Sequence, residues 1–286
     1  MKKILVTGAN GQLGQCLQKI SSQFEEFEFI FTDSETLDIT NKEEVNDFFW
    51  QNAPDFCINA AAYTAVDLAE TDIEKAFLVN ADGTENLAEA CAENNAQFIH
   101  VSTDYVFDGE NNLAYTEEDF TNPLGVYGAS KLAGDELALE VNPCSVILRT
   151  SWVYSEFGKN FVKTMLNLFA TKEELSIVAD QFGQPTNAND LAEAIMKIIK
   201  SEKITPGIFN FSNLGRISWF DFAKKIAELS EAKIKLNAIE TSQYPTPAKR
   251  PRNSVLDLDK ISKTYGIQLK PWEESLEDCV QILQNN

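Results

Sequence analysis

A single histidine, His100, occurs in 286 residues, and that scarcity removes whole classes of chemistry. Sites built on several histidine ligands are ruled out, and a serine-histidine-aspartate triad would have to use this one ring. His100 lies inside the apolar run QFIHVS, so it is expected as a strand residue satisfied in or near the core, not as a ligand or base. Any proton-transfer group must be of another type. Cysteine pairing is also missing: Cys16, Cys57, Cys91, Cys144 and Cys279 are scattered and include no CxxC. A disulfide framework or zinc site is therefore not expected, and the thiols read as reduced core residues. Positive charge is scarce, with 24 Lys and Arg against 44 Asp and Glu for a net charge of −20. Such a field repels polyanions, so neither nucleic acid nor an anionic membrane is an expected partner, while a small anionic ligand still is. Long apolar runs are lacking as well. The start, MKKILVTGAN, offers only Ile4, Leu5 and Val6 before Thr7, too few for a signal-peptide core. No segment approaches membrane-spanning length, and the expected location is the cytoplasm.

What is present is ordinary globular composition, 44% hydrophobic and 24% charged, with short β-rich runs alternating with amphipathic stretches. KILVTG precedes QLGQCLQKISSQF. EFIFTD precedes NKEEVNDFFWQ, whose start at Thr40 with Glu43 three residues on reads as a capping box. DFCINAAA, the long DIEKAFLVNADGTENLAEACAENN, AQFIHVST, VYGASKLAGDELALEV and SVILRTSWVY follow. Strands alternating with helices predict an α/β, doubly wound parallel sheet. The alternation loosens after about residue 150. This suggests a dinucleotide-binding domain over 1–150 and a smaller, mainly substrate-binding lobe over 151–286, some of whose segments return to the main sheet. In the lobe, Lys249, Arg250 and Arg252 form the densest basic cluster, placed either to help seat a pyrophosphate or as an ordinary solvated loop.

Two stretches carry chemistry. In TGANGQLG, Gly8, Gly11 and Gly14 follow directly on a strand and open a helix, where backbone N–H groups and the dipole favour a pyrophosphate. The spacing is G-x-x-G-x-x-G, and by itself it is a weak signal. The second strand, however, ends in Asp33, about twenty residues beyond Gly14, where an acid takes the adenosine ribose hydroxyls. A carboxylate there repels the 2′-phosphate of NADPH, so NADH should at least be accepted. In VYGASKLAG, Tyr127 and Lys131 stand four apart and so share one helix face. The expected pairing sets a phenol beside an ammonium that lowers its pKa and eases release of its proton.

Glycines upstream and Tyr-x-x-x-Lys downstream make the order similar to the extended short-chain dehydrogenase/reductase superfamily, over nearly the whole chain. More narrowly, TGANGQLG, NAAAYTAVDLAE, STDYVFDG, PLGVYGASKLAGDE, RTSWVY, DQFGQPT and YPTPAKRPRNS together resemble the dTDP-4-dehydrorhamnose reductases. That resemblance implies NADPH or NADH as cofactor and reduction of the 4-keto group of a nucleotide sugar. It makes Tyr127 the general acid, Lys131 its electrostatic partner and holder of the nicotinamide ribose, and Thr103 a hydrogen-bond partner of the reacting oxygen. Asp104 and Trp152 line the sugar site. Gly11, Gln12 and Leu13 meet the phosphates, Asp33, Asp38 and Ile39 the adenosine end, and Ala62, Tyr63 and Thr64 the inner wall. In related 4,6-dehydratases a Thr-Asp-Glu run eliminates water; here Tyr105 replaces the glutamate, which favours simple ketone reduction. Some reductases of this kind form Mg²⁺-assisted dimers through acidic residues. Asn189, in ANDLAEA, stands where a carboxylate would be wanted, so no metal ligand is assigned and both monomer and homodimer stay open. Two alternatives also stay open: a dinucleotide-binding regulatory subunit similar to the methionine adenosyltransferase β subunit, and another nucleotide-sugar reductase or epimerase.

Overall fold

Parallel strands β1 (Lys2–Thr7), β2 (Phe27–Phe31), β3 (Phe56–Asn59), β4 (Gln97–Thr103) and β5 (Val146–Thr150) form the main sheet with an edge strand, Gly207–Asn210. The computed structural model describes residues 1–285. From the edge inward the order is Gly207–Asn210, β5, β4, β3, β1, β2. The chain leaves β1 toward β2 on one side and then returns to place β3 on the other. That reversal opens a crevice above the carboxyl ends of β1 and β3, the place where ligands sit in open α/β sheets. β3 is buried along its whole length, as a central parallel strand covered on both faces must be.

Helices cover both faces. Helix α1 (Gln12–Ser21) packs with Ala188–Ile199 on one side, around Ile4, Val6, Ile58 and Leu148. Helix α2 (Lys42–Asn52) and the segment Gly83–Glu93 cover the other, around Leu5, Cys57 and Phe98. The capping box expected at Thr40 does not form, and the helix is capped one residue later without one. Asn41 is the cap, its side chain accepting from the Glu44 N–H, while the Glu44 carboxylate accepts from the Asp38 N–H. Asparagine in extended backbone accepts the orphan N–H as well as threonine does, so the neighbouring residue took the role. The run from Ile73 to Glu93 is helical but widens into a π turn over Leu78–Asp82. Four of the five cysteines are buried as expected; Cys144 is exposed.

The stretch SVILRTSWVY does not form one strand. It breaks after Thr150 because Trp152 adopts a left-handed backbone, φ 48°, and resumes as Val153–Tyr154. Beyond it, strands Glu174–Val178 and Lys235–Ile239 pair in parallel as a separate sheet. Helices Phe161–Phe169, Trp219–Leu229 and Trp272–Asn285 share a further core around Tyr154, Phe222 and Leu276. Gly207–Asn210 pairs with β5, so this later part of the chain also completes the main sheet. Among the described residues, no helix is long and apolar enough to cross a membrane.

Candidate active site

The turn after β1 is shaped by contacts that exclude side chains. Gly8 has φ +65°, and a Cβ there would lie 2.6 Å from the Ala61 nitrogen; one on Gly14 would lie 2.4 Å from the Gly8 carbonyl oxygen. Backbone thus packs on backbone between the ends of β1 and β3. Gly11 is the N-cap of α1 with no side chain capping it, which leaves the first N–H groups of the helix for an anion. Leu13 buries its side chain in the core, and Gln12 spends its own on the later chain, accepting from Asn160 Nδ2 at 2.8 Å and donating to the Val153 carbonyl at 3.3 Å. What Gln12 and Leu13 present to the crevice is therefore backbone.

Asp33 lies two residues beyond β2 and is held in place. Its Oδ1 accepts from the Thr36 hydroxyl at 2.9 Å and its Oδ2 from Asn10 Nδ2 at 2.6 Å. The Thr36 hydroxyl, ahead of the neighbouring N–H groups and Asn10, holds the carboxyl below the usual range, so it is ionised. Asp38 is exposed and caps Thr40, while Ile39 is buried against Gly83. Ala62, Tyr63 and Thr64 follow β3. Tyr63 is fastened through its backbone: its N–H donates to Asn80 Oδ1 at 2.8 Å, its carbonyl accepts from Asn80 Nδ2 at 3.1 Å, and Asn80 also donates to Ser130 at 3.0 Å. Asn80 sits in the π turn, where the widened helix aims it at this loop.

At the end of β4, Thr103 and Asp104 meet Tyr127. Thr103 Oγ1 donates to Asp104 Oδ1 at 3.1 Å, and Asp104 Oδ2 is a buried oxygen with no hydrogen-bond partner. Burial pushes the Asp104 carboxyl up to about 7. Tyr127 enters from the first turn of helix Val126–Val141, whose close approach requires Gly128: a Cβ there would lie 2.2 Å from the Tyr105 carbonyl oxygen. Burial pushes the Tyr127 phenol up to about 12; the adjacent Thr103 hydroxyl opposes that shift, and Asp104 and Asp135 add to it.

Here the structure departs from the expected phenol beside an ammonium. Lys131 shares the helix but is turned inward, fully buried, with Nζ 3.0 Å from His100 Nε2 and 2.8 Å from the Val101 carbonyl oxygen. It does not lower the Tyr127 pKa; the phenol is raised by desolvation instead.

The chain that carries this glycine turn and strand end is similar over its length to known proteins. A family model described as the RmlD substrate binding domain matches residues 1–285. The chain belongs to this family. Similar proteins include a dTDP-4-dehydrorhamnose reductase of Aggregatibacter actinomycetemcomitans, 45% identical with 97% of this chain and 98% of that protein covered. Among solved structures, the dTDP-4-dehydrorhamnose reductase of Clostridium acetobutylicum has a TM-score of 0.95 at 44% identity, with 99% of each chain covered. The Bacillus anthracis dTDP-4-dehydrorhamnose reductase, solved in complex with NADP, has a TM-score of 0.94 at 39% identity, covering 99% of this chain and 100% of that one.

Other features of this family member were not legible in its sequence. Trp152, at its strained backbone, stacks on Trp219 with ring centroids 3.5 Å apart, and Gly183 leaves room for it: a Cβ there would lie 2.5 Å from the indole. Of the basic loop, Arg250 is committed to Asp67 by two hydrogen bonds of 2.8 and 2.7 Å, while Lys249 and Arg252 are exposed. Asn10 and Asn80 had only a faint signal, polar residues at positions where backbone loops have to be tied. The Trp152–Trp219 stack had none, since the two rings are distant in the chain. Among the described residues, no cluster of three or more His, Cys, Asp or Glu side chains is arranged to hold a metal ion.

Proposed function

We propose that this protein catalyses the NAD(P)H-dependent reduction of the 4-keto group of dTDP-4-dehydro-L-rhamnose, giving dTDP-L-rhamnose. The observation that carries the reading is the convergence of Thr103, Asp104 and Tyr127 at the end of β4, beside a glycine turn that fits a dinucleotide pyrophosphate. The names of the similar proteins and the NADP complex of one of them support it. Residues 1–150 hold the dinucleotide: Gly8, Gly11, Gln12, Leu13 and Gly14 at the pyrophosphate through backbone, Asp33, Asp38 and Ile39 around the adenosine, and Ala62, Tyr63 and Thr64 along the inner wall. Residues 151–286 mainly shape the sugar-nucleotide side. Asp104 and Trp152 line the sugar.

The bound cofactor supplies hydride to the ketone carbon. The protein's task is the oxygen, on which negative charge develops as the carbonyl becomes an alcohol. Thr103 and Tyr127 present hydroxyls to that oxygen, and Tyr127 gives up the proton. A phenol held up at about 12 is protonated at neutral pH, which is the form a reductase requires of it at the start of turnover. With the dinucleotide bound, Lys131 would hold the nicotinamide ribose and support Tyr127. The location is the cytoplasm, and the protein acts as a monomer or homodimer on a small nucleotide sugar.

The test is loss of reduced-nicotinamide absorbance when dTDP-4-dehydro-L-rhamnose is added to the protein with NADH or NADPH, followed by identification of dTDP-L-rhamnose. Tight dinucleotide binding without turnover would point to a regulatory subunit instead. Turnover only of a sugar on another nucleotide would replace the substrate but keep the reaction class.

A further inference from the structure

The hydrogen bonds around His100 fix which ring nitrogen carries the proton. Asn59, fully buried at the end of β3, accepts at Oδ1 from the Ala61 backbone N–H at 3.1 Å, a donor that cannot be reversed, and from the Thr7 hydroxyl at 2.7 Å. Its amide nitrogen therefore faces His100 and donates to Nδ1 at 3.1 Å. An accepting Nδ1 is unprotonated, so the ring is neutral and its proton sits on Nε2. That nitrogen lies 3.0 Å from Lys131 Nζ. An ammonium offers three donors and no acceptor, so an N–H aimed at it sets donor against donor. The contact becomes a hydrogen bond when Lys131 is an amine, accepting from His100 and donating to the Val101 carbonyl.

Other charged and titratable groups surround the pair and pull in both directions. On the lysine's own helix, Asp135 accepts at Oδ2 from Ser102 at 2.9 Å and from Arg149 of β5 at 3.3 Å. Its Oδ1 is buried without a partner, 3.8 Å from His100 Nε2. Tyr127 lies one turn back on the helix and Asp104 at the end of β4. Burial pulls Lys131 down to about 8 against the opposing pull of Asp135, and burial together with the facing Lys131 holds His100 well below the ordinary histidine range.

We propose that His100 is a positioning residue: on the alkaline side of neutrality it holds Lys131 as an uncharged amine turned away from Tyr127, so that Lys131 must then take up a proton to engage Tyr127 and the cofactor. Release leaves no ring proton stranded, because Asp135 Oδ1 stands within a small shift of Nε2. The proton taken up creates the ammonium only when the dinucleotide arrives. The inference rests on the reductase reading for that coupling, but not for the state of the histidine.

Two measurements test it. The protein's single histidine gives one set of imidazole signals, so ¹⁵N-histidine labelling of tag-free protein and a multiple-bond ¹H–¹⁵N spectrum report its tautomer directly. The expected result is Nε2–H across about pH 6.5 to 8.5; an imidazolium or an Nδ1–H tautomer would overturn the proposal. Calorimetric titration of NADH in buffers of different ionisation enthalpy, at about pH 8.5, then counts protons. The expected uptake is on the order of half a proton or more per site, lost in His100→Gln, whose amide oxygen accepts from a permanent ammonium. No uptake by the unmodified protein, or uptake unchanged in His100→Gln, would contradict it. A purely structural His100 predicts a lower melting temperature with unchanged proton stoichiometry. If His100→Gln does not fold, the tautomer and the unmodified protein's uptake decide. If NADH does not bind at all, the reductase reading fails, while the tautomer still reports on the histidine.

Discussion

Asp33 shows how much a single side chain decides. Its carboxylate is ionised, fixed by Thr36 and Asn10, and its loop continues with Glu35 and Asp38 without a cation. A 2′-phosphate placed there meets like charge, which should disfavour it by roughly tenfold. kcat/KM for NADH is therefore expected to exceed that for NADPH by about that factor, and Asp33→Ala to narrow the gap. Steady-state kinetics with both cofactors check it; equal values in the unmodified protein would remove Asp33 as the discriminator. Asp104 makes a different prediction. Its folded pKa, raised by burial to about 7, lies above the ordinary carboxyl value of 3.8. Between those values the folded state binds more protons than the unfolded one, so stability falls as pH rises through that window, and the cost is fully present above pH 7. Asp104→Asn should thus gain stability relative to the parent at about pH 8.5 but not at about pH 3.5, by at most ~4 kcal/mol. Denaturant melts of both proteins at the two pH values measure it, and an equal difference at both would refute the account. The ionised Asp33 was legible from its place at a strand end. The raised Asp104 was not, because burial is a property of the assembled molecule.

At the scale of elements, the site depends on how each segment is started, stopped or bent. Asn41→Ala removes the acceptor that begins α2 and should cost about 1 kcal/mol, read from chemical denaturation, with dinucleotide affinity unchanged. Gly183→Ala acts at the strand Phe182–Gly183, where the new methyl would meet the Trp152 ring. The ring must shift off Trp219, so KM for the nucleotide sugar should rise about tenfold or more while the Kd for NADH stays the same. A matched change in both constants would show that Trp152 does not face the sugar alone. Periodicity and glycine spacing predicted the strand-helix alternation well, since those signals are local. They placed the α2 cap one residue early and ran β5 through Trp152. The left-handed turn at Trp152 is selected by contacts with Gly183 and Trp219, which no local pattern encodes, whereas Asn41 and Glu44 stand three apart and their cap is a local signal that competed with the one at Thr40.

Across the whole molecule, the reversal of strand order brings three separate parts of the chain to one crevice. These are the glycine turn after β1, the Tyr63 loop after β3 and the Thr103–Asp104 end of β4, with helix Val126–Val141 closing over them. The glycines, Asp33, Tyr127 and Lys131 could be read from spacing because each pair lies within one unit of structure. The inward turn of Lys131 could not, since it needs β3, β4 and the helix together to place Asn59, His100 and Asp135 around it. At this crevice the Tyr127 phenol is the proposed proton donor to the reduced oxygen. Its most direct test is Tyr127→Phe, measured for dTDP-4-dehydro-L-rhamnose turnover and, by calorimetry, for NADH binding. The expected kcat is lower by about 10²- to 10⁴-fold with the NADH Kd within about twofold of the parent; near-normal turnover by this variant would mean that another group delivers the proton.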